Sequence, residues 1–140
     1  MRFQFYENTF DESDFFLEQC QAPMGMEDKR IKDSQISAKT WLYFDRRDSR
    51  YYRPYFARLN YVKPSGGWCS ADLTGQFIEV DLLDNMKVTA IATQGRHDGQ
   101  EWVEEFRIEY QREKDSQFRN YMENGKWKVL VLNEIMYYLE

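Results

Sequence analysis

The chain has 140 residues, a formal net charge of −5, and 17% aromatic side chains. That length suits one domain with a real hydrophobic core. The acidic balance removes any general drive toward nucleic acid, whose phosphates need a basic surface, and no run approaches the ~18 apolar residues of a membrane span.

Residues 1–19 mix acidic and aromatic residues without a sustained period. They are expected to form an N-terminal arm, frayed or with a short amphipathic helix over 12–19. This stretch also lacks the basic region and unbroken apolar run of a signal peptide. Pro23 and Gly25 punctuate a loop after Cys20, and a short strand or turn follows near 31–36, with Ser37 opening the next loop. Residues 40–57 interleave aromatics with Arg and Asp, and Pro54 rules out an unbroken helix there. A turn follows at Lys63-Pro-Ser-Gly-Gly67. Residues 76–82 alternate, with Ile78, Val80 and Leu82 on one face. Asp84-Asn85 is a turn, and 88–94 is a β-branched strand. A polar loop over 94–102 leads into a strand over 106–111, where Phe106, Ile108 and Tyr110 face inward and Arg107 and Glu109 outward. A turn at Asp115-Ser116 precedes a strand over 117–122. Asn124-Gly125 is the favoured two-residue hairpin turn, and 127–132 reads as strand, with a strand or short helix at 135–139. Short strands at near-regular spacing, rich in the aromatic and β-branched residues that strands prefer, predict an all-β sandwich or barrel.

Enzyme chemistry finds no footing. With two cysteines and one histidine the soft ligands are too few for structural zinc, so no metal and no cofactor is expected. Glu27, Asp28 and Asp33 are hard-oxygen residues of the kind calcium takes, but such clusters are ordinarily a solvated face. A Cys–His nucleophile would have to use His97, which has no activated thiol beside it. Gly66-Gly67 runs into Trp68-Cys69, not into the Lys-Ser/Thr and helix of a phosphate loop.

Four stretches, in order, resemble the discoidin domain, also called the coagulation factor five/eight type C domain. They are Cys20-x-x-Pro23 through Arg30-Ile31-x-Asp33-Ser34-Gln35-Ile36-Ser-Ala38; Ala57-Arg58-Leu59-Asn60 followed by Gly67-Trp68-Cys69; Gln76-Phe77-Ile-Glu-Val80-Asp81-Leu82; and Val88 through Thr93-Gln94-Gly95-Arg96, closing on Glu101-Trp102-Val103. Gly-Trp-Cys and Thr-Gln-Gly-Arg-His are most similar to the modules of the discoidin domain receptors. The resemblance implies a jelly-roll-like antiparallel β-sandwich over 20–126, with 127–140 an atypical segment. The family's Phe-x-Gly-Asn segment, Arg-rich final strand and closing Gly-Cys do not follow Trp127. A sandwich lacking its last strands is therefore expected, and Cys20 and Cys69, the disulfide candidates, miss their family partners.

The same resemblance implies a non-enzymatic module of the cell surface or extracellular matrix. Loops at one end would bind collagen or another glycoprotein; phospholipid and glycan are the alternatives, and nucleic acid is not a partner. Trp41, Arg96 and Glu101 match the collagen-binding positions of the receptor modules. Leu42, Tyr43, Phe44, Tyr51 and Tyr52 match the apolar spikes by which other members enter membranes, beside Arg46, Arg47, Arg50 and Arg53. For this site to form, the 94–102 and 40–56 loops must share one end of the sandwich.

Overall fold

A computed structural model describes residues 2–7, 22–42, 52–62, 66–97, 99–131 and 136–138. Cys20, Tyr43, Phe44, Tyr51, Arg46, Arg47, Arg50 and the helix considered at 12–19 lie outside the described residues. The described chain forms β1 (Arg2–Glu7), β2 (Ala22–Pro23), β3 (Ile36–Ala38), β4 (Ile78–Val80), β5 (Val88–Gln94), β6 (Glu105–Arg107), β7 (Glu109–Tyr110), β8 (Arg119–Asn120), β9 (Met122–Glu123), β10 (Lys126–Trp127), β11 (Val129–Val131) and β12 (Met136–Tyr138). Single 3-10 turns occupy Asp33–Gln35 and Pro54–Phe56. Every strand pair is antiparallel.

β5 is the spine. It lies inside a four-stranded sheet of order β12-β5-β1-β2, and Ala90, Ile91, Ala92 and Thr93 are all buried. A strand covered on both faces has no reason to alternate, and Val88-Thr-Ala-Ile-Ala-Thr93 does not. The first residues of the expected arm are its neighbour: β1 pairs with β5 from Arg2↔Gln94 to Glu7↔Val88. That part of the arm is strand, held by a ladder that local sequence does not advertise. Likewise β12 pairs with β5 at Met136↔Ala92 through Tyr138↔Ala90.

The β3–β4 ribbon is the opposing layer, in register from Ile36↔Val80 to Ala38↔Ile78. Between the layers sit Met24, Met26, Ile31, Ile36, Ala57, Trp68 and Ile91, with Phe5, Ile78, Val80, Leu82, Val88 and Ile108 packed at the margin. Fully burying a side chain the size of Met26 or Ile91 stabilises the fold by about 1.5–3 kcal/mol. Ser37 lies within β3 and does not begin a loop.

The C-terminal strands are shorter than the alternation predicts. The 106–111 strand is interrupted at Ile108, leaving β6 paired with β11 (Leu130↔Phe106) and β7 paired with β8 (Tyr110↔Arg119). The 117–122 strand is likewise two pieces, β8 and β9. Ile108 marks the change of partner, and its carbonyl accepts Tyr121 N–H at 2.9 Å. Arg107 and Glu109 face solvent as expected, but Tyr110 is 44% exposed and not buried. Past the switch of partner, no second layer covers it among the described core residues. The Asn124-Gly125 hairpin forms with φ of 50° and 73°, the left-handed pair that such a turn requires.

Arg58, 1% exposed, lies at the heart of the domain. Its guanidinium donates to the Met26 carbonyl at 2.7 Å and to Asp33 Oδ1 at 2.5 Å. Asp33 itself is 53% exposed. Removing a surface carboxylate ordinarily shifts stability by no more than ~0.5 kcal/mol, but here it strands a buried cation. Asp33→Ala is expected to cost about 2–3 kcal/mol in urea unfolding, whereas Asp28→Ala, whose partner Arg30 is itself exposed, should leave the urea midpoint nearly unchanged. Equal small losses would refute Arg58's dependence on Asp33.

Leu83 carries a second, opposite prediction. It follows Asp81-Leu82 with φ of 68° and is 71% exposed, a backbone that an L side chain adopts at a cost and with little packing to offset it. Leu83→Gly should raise the urea midpoint by the equivalent of about 1 kcal/mol at constant m-value. A lower midpoint would mean that the Leu83 side chain holds the turn.

Candidate functional site

The end of β5 is tied into the rest of the domain by side-chain amides. Gln94 Nε2 donates to Asn60 Oδ1 at 2.9 Å, and Asn60 N–H donates back to Gln94 Oε1 at 2.9 Å. Asn60 reaches this position with φ of 56°, a left-handed conformation that Asn tolerates better than most residues. Its Nδ2 also donates to Glu27 Oε1 at 2.9 Å.

Beyond Gln94 the loop closes on itself. Arg96 N–H donates to the Glu101 carbonyl at 2.8 Å, and Arg96 Nη1 meets Glu101 Oε2 at 2.8 Å. His97 N–H donates to the Gly66 carbonyl at 3.2 Å, which anchors the loop to the Gly66-Gly67-Trp68-Cys69 stretch. The Arg96 guanidinium lies 5.2 Å over the Tyr52 ring, within cation–π range. Arg96 is consequently 16% exposed, while Glu101 is 60% exposed.

Around this pair opens a cleft of about 140 Å³, lined by Tyr52, Trp68, Cys69, Ser70, Arg96, Glu101 and Trp102. Trp41 belongs to the same neighbourhood through the backbone: Leu42 N–H donates to the Cys69 carbonyl at 2.8 Å, and Trp68 Nε1 donates to the Thr40 carbonyl at 3.0 Å. Trp41 is 39% exposed and Leu42 is half-buried.

Of the residues that the sequence singled out, Arg96 and Glu101 are in direct contact, and Trp41 lies between two residues, Thr40 and Leu42, whose backbones are hydrogen-bonded to Trp68 and Cys69 of the cleft. Tyr52 is corrected: at 5% exposed it is the ring beneath Arg96 and is not a projecting spike. The Arg96 guanidinium lies over its ring. Trp102 was not among the expected binding residues, yet it stands 60% exposed at the mouth of the cleft. Its signal was an indole adjacent to Glu101 at the step from loop to strand, where no alternation assigns a face.

Glu27, Asp28 and Asp33 are engaged by Asn60, Arg30 and Arg58 respectively, and Arg30 holds the Asp28 carboxyl below the usual carboxylate range. Among the described residues, no group of three or more His, Cys, Asp or Glu side chains is placed to hold a metal ion. Nor is any helix among them long and apolar enough to cross a membrane.

The class of protein that this defines is an all-β antiparallel sandwich with a small mixed cleft lined by loop residues. Residues 35–136 match the family model of the F5/8 type C domain, and the chain belongs to that family. It is similar to coagulation factor V of Mus musculus, 42% identical over 81 residues, which is 54% of this chain and 3% of that protein. Lactadherin of Sus scrofa is 33% identical over 94 residues, covering 65% of this chain and 23% of the relative. The discoidin domain-containing receptor tyrosine kinase B of Caenorhabditis elegans is 27% identical over 124 residues, 84% of this chain and 15% of the receptor. The chain thus spans between 3% and 23% of these relatives' lengths.

Cys69 is a free, half-buried thiol, directed toward the Ser70 carbonyl at 3.6 Å. Burial raises its pKa first, and the Glu101 carboxylate adds to the rise while Arg96 opposes it. A folded-state value above the unfolded one gives stability that is complete below the unfolded pKa and is lost as alkaline pH passes the folded pKa. Alkylation follows the thiolate. At pH 8, Cys69 in the folded chain should react with iodoacetamide more slowly than in urea, followed by mass spectrometry of the Cys69 peptide apart from that of Cys20. Glu101→Gln should speed the folded-state reaction, and a slower reaction would overturn this electrostatic assignment.

Proposed function

We propose that this domain is a non-enzymatic ligand-binding module of the cell surface or extracellular matrix, and that the rim formed by Trp41, Arg96 and Glu101 binds collagen or a similar matrix glycoprotein. The observation that supports it best is the company Trp41 keeps. An indole 39% exposed sits on backbone pinned to the wall that also carries the Arg96–Glu101 pair. Trp and Arg are the residues most enriched where interfaces concentrate their energy. Arg96 and Glu101 neutralise one another, which suits a ligand read through backbone carbonyls and amides better than one read through charge. A triple helix offers such a surface, since its PPII-like chains make no hydrogen bonds within a chain and leave part of their backbone open to solvent.

Membrane phospholipid is the second reading, favoured by the exposure of Trp102 at 60% and of Leu73 at 102%. Against it stands the net charge of −5, because anionic leaflets attract basic surfaces.

Solid-phase binding of the chain to immobilised triple-helical collagen distinguishes the two. Trp41→Ala and Arg96→Ala should each weaken it by at least roughly tenfold, and co-sedimentation with phosphatidylserine vesicles should not exceed that with phosphatidylcholine vesicles. Unchanged collagen binding in both variants would sink the site; a marked phosphatidylserine preference would replace collagen with lipid.

A further inference from the structure

Trp41 is 39% exposed, so its placement depends on the backbone that carries it. What holds it is concentrated in one residue. The Thr40 hydroxyl donates to Gln76 Oε1 at 2.6 Å and accepts Ala71 N–H at 3.1 Å. The Thr40 carbonyl accepts Trp68 Nε1 at 3.0 Å. On the far side of Trp41, Leu42 N–H reaches the Cys69 carbonyl at 2.8 Å. The partners are themselves braced, Gln76 by donating from Nε2 to the Thr74 carbonyl at 3.0 Å. Lys39 Nζ crosses to the Gly75 carbonyl at 3.1 Å.

A hydroxyl is suited to this place because it gives one hydrogen bond and accepts others from a single small group. Thr40 uses both capacities on the loop whose other end, Trp68 and Cys69, walls the cleft. We propose that Thr40 is the positioning residue of the ligand site: its hydroxyl clamps the 71–76 loop onto the Trp41 segment and so holds the exposed indole at a fixed offset from the Arg96–Glu101 rim. The proposal rests on the reading that Trp41 and Arg96 contact ligand, and it concerns how Trp41 is pre-organised, which affinity depends on because an ordered contact residue loses less freedom on binding.

The informative substitution is Thr40→Val, which keeps the β-branched shape and removes the hydroxyl; Thr40→Ser keeps the hydroxyl. Collagen binding should weaken by about five- to tenfold in Thr40→Val, the usual scale for one lost hydrogen-bonding group, and stay within about twofold in Thr40→Ser. Thr40→Val in a Trp41→Ala background should produce no further loss, because a residue acting through another is silent once that other is gone. Amide exchange provides a readout without ligand: Leu42 and Ala71 N–H should exchange at least about tenfold faster in Thr40→Val, with Ile91 N–H in β5 unchanged. Additive losses in the double variant, or protection of Leu42 and Ala71 unaltered by Thr40→Val, would overturn the proposal while leaving the site intact. Trp41→Ala binding collagen as well as the unaltered chain would instead overturn the site reading, and Thr40's role in binding with it.

Discussion

The whole arrangement depends on one buried cation. Arg58 comes from the Ala57-Arg58-Leu59-Asn60 stretch, and almost none of its side chain reaches solvent. A guanidinium in that position is costly unless its donors are met, and two of them are met at opposite ends of one loop: by the Met26 carbonyl and by the Asp33 carboxylate. The Arg58 Nε has no partner among the described atoms, so the cation is not fully compensated. Its value is in specification. It makes one placement of the 24–33 loop far better than any other, and that loop delivers Met24, Met26 and Ile31 to the core.

Two residues further on, Asn60 extends the same logic to the site. Glu27 binds its side chain on one flank and Gln94 on the other, so the loop organised by Arg58 also fixes the end of β5. The pinch of the 95–101 loop starts there. Gly95 permits it: a Cβ at that position would come within 3.3 Å of the Glu101 carbonyl and 3.5 Å of Trp102 Cβ. Arg96 is then laid over Tyr52 and against Glu101, with the backbone pair closing the loop behind it.

The elements legible in the sequence are those whose signals are local. Val88–Gln94 reads as strand from its β-branched run, and the Asn124-Gly125 turn reads from two residues that accept positive φ. The family motifs locate Arg58, Asn60, Gln94 and Arg96, but sequence alone does not say that the first three are structural, since their partners lie tens of residues away. Arg2–Glu7 is illegible for the same reason: it is strand because β5 is there to pair with it. At Ile108 the period-2 pattern continues while the ladder changes partner, so periodicity assigns Tyr110 a burial that the packing does not provide. In the site, aromatic content alone does not separate Tyr52 from Trp41. One lies under a guanidinium and the other stands beside a hydrogen-bonded threonine.

The balance of charge at the rim bears on what such a site can discriminate. An exposed ion pair adds little to stability in water, and the Arg96–Glu101 contact is half open on the Glu101 side. Its persistence comes from the covalent and backbone constraints around it, the Arg96 N–H to Glu101 carbonyl bond above all. The pair therefore forms a dipole of fixed direction, with the Arg96 donors shielded over Tyr52 and the Glu101 acceptors turned toward solvent. Were the rim to bind a ligand, such a surface would favour a partner that sets acceptors and donors side by side. A partner offering net charge alone would gain little from a pair that already neutralises itself.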